Sequence, residues 1–195
     1  MAAGLFLVLR YAWLLDDAFV FFRYVDNLLF LGRGLVFNEG EHVEGFSSPA
    51  WTLLLIPLRS THANYWLIVR AVGAAAFVLF WWLLLLLRRA SAPGPAMGVV
   101  DLPMAYLALL YPVASYFTSG METPLVQVSA AAFALHVFAP SCPVAQVLIG
   151  LAPLVRHELA LPLVLTLAWD WVHARRFPWL PFAVARKLLV KTGSG

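Results

Sequence analysis

Two adjacent carboxylates, Asp16 and Asp17, follow a run of apolar residues at the start of the chain. If the stretch from Asp16 to about Leu31 is helical, positions 16, 20, 23 and 27 share one face, so Asp16, Arg23 and Asn27 project together while Tyr24 and Asp17 lie about a quarter-turn away. An ionised carboxylate beside an acceptor hydroxyl can take its proton as a new bond forms, which makes either acid a candidate general base. Arg23 is a candidate for holding an anionic group. The same residues also admit a plainer reading: Asp16 and Asp17 cap the helix and favour its positive end, and Arg23 pairs with a neighbouring acid. Gly32 supplies the helix stop.

Further polar clusters interrupt the apolar sequence. Asn38-Glu39-Gly40-Glu41 has turn chemistry, with Gly40 free to take a positive φ, and Ser47-Ser48-Pro49 is a helix start. Glu122, after Ser119-Gly120-Met121, reads as a helix-start acid. Arg156-His157-Glu158 lies between two apolar segments and either anchors them at an interface or lines a polar cavity. His42, His62, His136 and His173 lack metal-ligand spacing, so neither a metal nor a cofactor is expected. Cys142 is the sole cysteine, which excludes an intrachain disulfide and a CxxC pair. Aromatic belts explain most of the Trp and Phe residues, and Trp51 is retained as a candidate for stacking on a sugar.

The elements that must position these groups are dictated by composition. The 195 residues are 63% hydrophobic and 12% charged, with a mean hydropathy of +0.84. Soluble domains carry about 45–50% apolar and about 25% charged residues. A helix bundle in lipid needs no polar coat around its middle, so a modest membrane bundle is expected. The net charge of +3 sits in small groups such as Arg88-Arg89 and Arg175-Arg176 beside hydrophobic runs, which marks topology and not nucleic-acid binding.

The expected fold is all-α: a polytopic transmembrane helix bundle with an acidic first extracytoplasmic loop at about residues 16–48 and a short re-entrant or interfacial helix. The clearest span is Tyr65 to Leu87, stopped by Arg88-Arg89 and the breaker Ala92-Pro93-Gly94-Pro95, so its end is cytoplasmic by the positive-inside rule. Pro49–Leu58, capped by Ser48, is too short to cross at about 1.5 Å per residue. The opening run Ala2–Leu15 lacks the features of a cleavable signal. It rises only about 21 Å against a hydrocarbon core of roughly 30 Å. Further apolar blocks cover roughly Met97–Tyr116, Thr123–Phe138, Val144–Val155 and Leu159–Val172. Alternating topology then puts Ser119–Glu122 and Arg156–Glu158 on the same outer side as the acidic loop, and Arg175-Arg176 inside. Phe177–Gly195 is expected to be interfacial or a cut-off span.

The string from Asp16-Asp17-Ala18 through Arg23-Tyr24-Val25-Asp26-Asn27, followed by Gly34-Leu35-Val36-Phe37-Asn38-Glu39-Gly40-Glu41-His42-Val43-Glu44-Gly45-Phe46-Ser47-Ser48-Pro49-Ala50-Trp51, resembles bacterial membrane arabinofuranosyltransferases and their relatives in the GT-C superfamily. Thr118-Ser119-Gly120-Met121-Glu122-Thr123-Pro124-Leu125 extends the likeness. So does Leu154-Val155-Arg156-His157-Glu158, where relatives tend to have Arg-Pro-Glu and His157 departs from the pattern.

The resemblance implies an inverting transfer of a sugar, arabinofuranose in those relatives, from a polyprenyl-phosphate donor to a glycan or lipid acceptor outside the cytoplasmic membrane. It assigns the base to the Asp16–Asp17 pair, Asp16 first, and phosphate binding to Arg156 supported by Glu158. Arg23, Tyr24, Asn27, Asn38, Glu44, Trp51 and Glu122 would order the loop or bind the substrates. No divalent metal is required. Family members are several hundred residues long, so residues 1–195 would be the front portion of a GT-C-like transmembrane domain. The rival reading is a non-catalytic membrane protein, a transporter fragment or an inactive remnant whose polar clusters merely line a cavity.

Overall fold

The computed structural model describes residues 2–40, 45, 47–91, 106 and 110–174. Among them there is no strand, and the regular elements are helices: α1 (Ala2–Arg10), α2 (Ala18–Leu29), α3 (Pro49–Arg59), α4 (Tyr65–Ser91), α5 (Tyr111–Tyr116), α6 (Thr123–Phe138), α7 (Pro143–Val155), a 3-10 turn (His157–Leu159) and α8 (Ala160–Ala174).

α4 is the organising element. Its 27 residues rise about 40 Å, and it is the one helix among the described residues long and apolar enough to cross a bilayer. It is apolar on all sides. Val69, Gly73, Ala76, Phe80, Leu83 and Leu87 form a buried stripe at helical spacing, while Leu67, Val78, Trp82 and Leu85 form a second stripe that is exposed. The buried stripe packs mainly on α6, which in turn packs on α7, and α1 lies against α4 and α5. Gly73 lets α4 pass close to the residues that follow α5, since a Cβ there would collide with the Phe117 carbonyl oxygen. The expected multiple crossings meet a length limit, because α6 and α7 have 16 and 13 residues and rise only about 24 and 20 Å. The Met97–Tyr116 block lies largely, and Arg175-Arg176 and Phe177–Gly195 wholly, outside the described residues.

Two apolar cores result. One gathers Val8, Phe77, Phe80, Phe117, Leu135 and Ile149 from α1 and α4–α7. The other gathers Phe21, Phe22, Trp51, Leu55 and Ile68 from α2, α3 and the start of α4. Ala18, Phe21 and Val25 of α2 lie in this second core on the side away from Arg23, with Phe22 at its flank, so the helix is pinned beneath while Arg23 stays exposed.

Local signals explain the boundaries. Ser48 caps α3 by accepting a hydrogen bond from the Trp51 amide at 3.3 Å, with Pro49 in the first turn. Pro124 opens α6 and Pro143 opens α7 in the same way. α1 departs from the expectation of a helix reaching Leu15 and ends at Arg10. Beyond it the chain is tied to α5 and the following loop instead: the Trp13 indole donates to the Ser115 carbonyl at 3.1 Å, and the Leu15 amide to the Ser119 carbonyl at 2.8 Å.

Candidate functional site

Asp16 and Asp17 form a turn, not the first residues of the helix. The amides of Phe19 and Val20 donate to their carbonyls at 3.1 and 3.2 Å, and α2 begins at Ala18. Asp17 occupies the position before the helix but makes no side-chain cap bond. Both carboxylates are exposed, and neither has a hydrogen-bond or ion-pair partner among the described residues. This separates them from the other described acids. Asp26 pairs with Arg59, Glu39 with Arg33, Glu122 and Glu158 with Arg156, and Asp170 with His136.

The polar side of α2 fastens the loop that follows it. Arg23 donates through Nε to the Phe37 carbonyl at 2.9 Å and through Nη2 to Asn38 Oδ1 at 3.1 Å, and its guanidinium lies 4.6 Å from the Phe37 ring centroid. Asn27 is buried and donates to the Val36 and Phe37 carbonyls at 2.7 and 3.1 Å. The Tyr24 hydroxyl, also buried, accepts from the Gly45 amide at 2.9 Å. Gly32, Gly34 and Gly40 take the positive φ that lets this loop double back. Glu44 lies outside the described residues. The helical-face argument for Arg23 and Asn27 therefore holds from Ala18 onward, and both side chains are spent largely on the loop.

A second tie brings the middle of the chain to the acidic turn. Gly120 has φ +83°, and a Cβ on it would fall 2.7 Å from the Ala18 Cβ and 3.0 Å from Leu14 Cδ2. Only glycine allows the loop from Ser119 to Met121 to press this closely on the residues that flank Asp16 and Asp17. Trp51 closes the contact from below, its indole donating to the Gly120 carbonyl at 2.9 Å. It is fully buried, which leaves no ring face for a sugar, so the stacking role expected for it gives way to a structural one.

Glu122 follows directly and is only 2% exposed. It makes no cap bond to α6. Oε1 instead accepts from Arg156 Nη1 at 3.2 Å and from the Ser47 hydroxyl at 3.4 Å, while Oε2 is buried without a hydrogen-bond partner. Arg156 also donates to both oxygens of Glu158, at 3.3 and 3.1 Å. This contact holds the Glu158 carboxyl below the usual carboxylate range. One guanidinium thus serves two carboxylates, and His157 Nδ1 lies 3.7 Å from Glu158 Oε2.

Two ion pairs had no signature in the spacing. Asp26 joins α2 to α3 and α4, accepting from Arg59 Nε at 2.8 Å and from the Tyr65 hydroxyl at 2.9 Å. His136 Nε2 and Asp170 Oδ2 are 2.8 Å apart between α6 and α8, both buried. The signal available for the second pair was an ionisable residue inside each of two apolar blocks, which normally seeks a partner. Among the described residues, no three His, Cys, Asp or Glu side chains cluster as a metal site would require.

Comparison with known proteins gives a short likeness. A 43-residue segment is 54% identical to a segment of the terminal beta-(1->2)-arabinofuranosyltransferase of Mycobacterium tuberculosis (strain ATCC 25618 / H37Rv). The match covers 22% of this chain and 7% of that protein. No family model and no solved structure matches the chain. The likeness to a glycosyltransferase thus rests on a limited stretch.

Proposed function

We propose that this chain is part of a membrane glycosyltransferase of GT-C type that moves a sugar from a polyprenyl-phosphate donor to a hydroxyl of a glycan or lipid acceptor on the outer side of the cytoplasmic membrane. The observation that carries the reading is the state of Asp16 and Asp17: exposed and without a partner among the described residues, while every other described acid is paired with an arginine or, for Asp170, with His136. The short match to an arabinofuranosyltransferase supports the reaction class. The exposed apolar stripe of α4, and the exposed Leu161, Val164, Leu165 and Trp169 of α8, support a lipid surround with several crossings.

In this mechanism one carboxylate of the pair, Asp16 first, removes the proton of the acceptor hydroxyl. The hydroxyl oxygen forms a bond to the anomeric carbon as the bond from that carbon to the phosphate oxygen breaks. Polyprenyl phosphate leaves with the bonding electrons and the configuration inverts. The loop held by Arg23, Tyr24, Asn27 and Asn38 walls one side of the turn. The Glu122–Arg156–Glu158 cluster supplies acceptors and donors for sugar hydroxyls on the other.

The test is sugar transfer in membranes from labelled polyprenyl-phosphate sugars, comparing the chain with Asp16→Asn, Asp17→Asn and the double variant. Loss of the base lowers the rate by about 10²–10⁴-fold. Equal, undiminished transfer in both single variants refutes the base assignment. Solute flux without glycosyl product would establish the transport reading in its place.

A further inference from the structure

The buried pair of His136 and Asp170 takes no part in the site around the acidic turn. His136 lies near the far end of α6, about 20 Å along the axis from Thr123, and Asp170 lies one turn before the end of α8. Their contact of 2.8 Å uses one polar atom of each side chain, Nε2 and Oδ2. The other two atoms are left over. His136 Nδ1 is buried without a hydrogen-bond partner, and Asp170 Oδ1 has none among the described residues. Buried polar atoms are normally paired, and an ionisable residue inside an apolar segment is a candidate binding group.

The pair borders a cavity of about 510 Å³ between α6 and α8, walled otherwise by Val137, Pro140, Leu165, Thr166 and Trp169. That size suits a headgroup or a small molecule. Among the described residues no lysine or arginine lines it, and the one ring that can carry positive charge, His136, already faces a carboxylate, so an anion finds no partner there. With His136 neutral the pair is an anion, and with His136 protonated it is neutral; in both states Asp170 Oδ1 remains an acceptor. Thr166 stands one turn before Asp170 on the same face of α8. Its hydroxyl donates to the Pro162 carbonyl at 2.7 Å, which leaves the oxygen able to accept. The mouth is apolar, since Val137, Leu165 and Trp169 are all largely exposed.

We infer that this cavity binds the primary ammonium group of a phospholipid with an ethanolamine head, with Asp170 and Thr166 accepting from its N–H groups and the acyl chains lying along Leu165 and Trp169. The charge is complementary, and a carboxylate in an apolar surround gains most from a cation that also donates hydrogen bonds. A quaternary ammonium has no N–H to give, so a choline head fits the same cavity without satisfying Asp170. The apolar mouth favours a headgroup that arrives with hydrocarbon attached over a free amine in water. The level agrees: a carboxylate one turn inside the end of α8, beside an exposed tryptophan, sits where headgroups meet acyl chains. The inference rests on the lipid surround proposed above and not on sugar transfer. In that topology the site faces the cytoplasmic leaflet, at the opposite end of the bundle from Asp16 and Asp17.

The experiment purifies the full chain into detergent with equal amounts of ethanolamine and choline phospholipids of identical acyl chains, and counts the lipids retained by native mass spectrometry. The parent chain retains the ethanolamine lipid over the choline lipid by about tenfold. Thr166→Leu fills the cavity while keeping the His136–Asp170 contact, and the preference falls to within about twofold. His136→Leu/Asp170→Leu, which removes both members and so leaves no buried charge alone, gives the same loss. Leu67→Ala, an exposed residue at the other end of α4, keeps the preference. Equal retention of the two lipids by the parent chain overturns the inference, as does a preference that survives in both cavity variants or one that Leu67→Ala also abolishes. Displacement of the lipid by soluble ethanolamine at equal concentration makes this a free-amine site and overturns the lipid identity. A cavity-dependent preference in a chain that transfers no sugar leaves the site standing and removes the transferase reading, and transfer without the preference does the reverse.

Discussion

Removing Arg156 should cost more than its exposed position suggests, because of what it leaves behind. Glu122 is 2% exposed, its Oε2 has no hydrogen-bond partner, and Oε1 would keep only the Ser47 hydroxyl at 3.4 Å. Breaking a fully buried ion pair by deleting one member costs about 3–5 kcal/mol. The Arg156 side chain is 41% exposed, so water can reach the carboxylate after Arg156→Gln, and about 2 kcal/mol is the reasonable share. Glu122→Gln removes the buried charge and leaves Arg156 paired with Glu158, at about 1 kcal/mol. In the double variant two amides face each other with no buried charge, so it should be less destabilised than the sum by roughly 1.5 kcal/mol. The measurement is thermal unfolding of the four proteins in nanodiscs, where about 2 kcal/mol corresponds to a shift of roughly 4–8 °C. Additivity of the two single changes to within about 0.5 kcal/mol would refute the coupling.

Gly120→Ala forces a left-handed backbone onto an L-residue and drives a Cβ to 2.7 Å from Ala18. It should cost about 2 kcal/mol or more by unfolding and, on the proposed transferase reading, lower transfer through displacement of the acidic turn. His136→Leu leaves Asp170 buried without its partner and should destabilise the chain by about 3 kcal/mol, whereas the His136→Leu/Asp170→Leu double variant recovers most of that loss in the same unfolding assay. Glu158 is held below its ordinary value by Arg156, so its contribution is present above about pH 4.3 and lost as pH falls through the lower folded value. The stability difference between the parent chain and Glu158→Gln should therefore shrink only below that pH, and a difference that vanishes near neutrality would contradict the contact.

How much was legible in the sequence varied with the range of the interaction. α6 lies at Thr123–Phe138 as its apolar block and Pro124 indicate, and α3 starts where Ser48 and Pro49 place it, because caps and periodicity act within one or two turns. Gly40 likewise takes the left-handed φ its turn chemistry anticipates. The early end of α1 was not legible, since it follows from the bonds of Trp13 and Leu15 to Ser115 and Ser119, about a hundred residues away. Glu122 was misleading in a similar way. Its sequence context is that of a helix-start acid, and its actual partners arrive from Ser47 and Arg156 through the packing of other helices. The network of Asp26 with Arg59 and Tyr65 depends on the register of α3 and α4 against α2, which no local pattern encodes.

The contrast among the acids bears on mechanism more than any single distance does. A carboxylate retained to stabilise a fold is normally tied to a cation or to backbone amides, since its worth lies in those bonds. Asp26, Glu39, Glu122 and Glu158 follow that pattern with arginine, and Asp170 is tied to His136. Asp16 and Asp17 do not, and Asp17 forgoes even the cap bond that its position before α2 offers. Their positions are nevertheless fixed from both sides, by the Leu15–Ser119 bond before them and by the close approach of Gly120 to Ala18 after them. Two acids held by the backbone while their side chains stay open suit the role proposed for them, because a carboxylate already committed to a cation would have to surrender that partner before it could take a proton from an incoming hydroxyl.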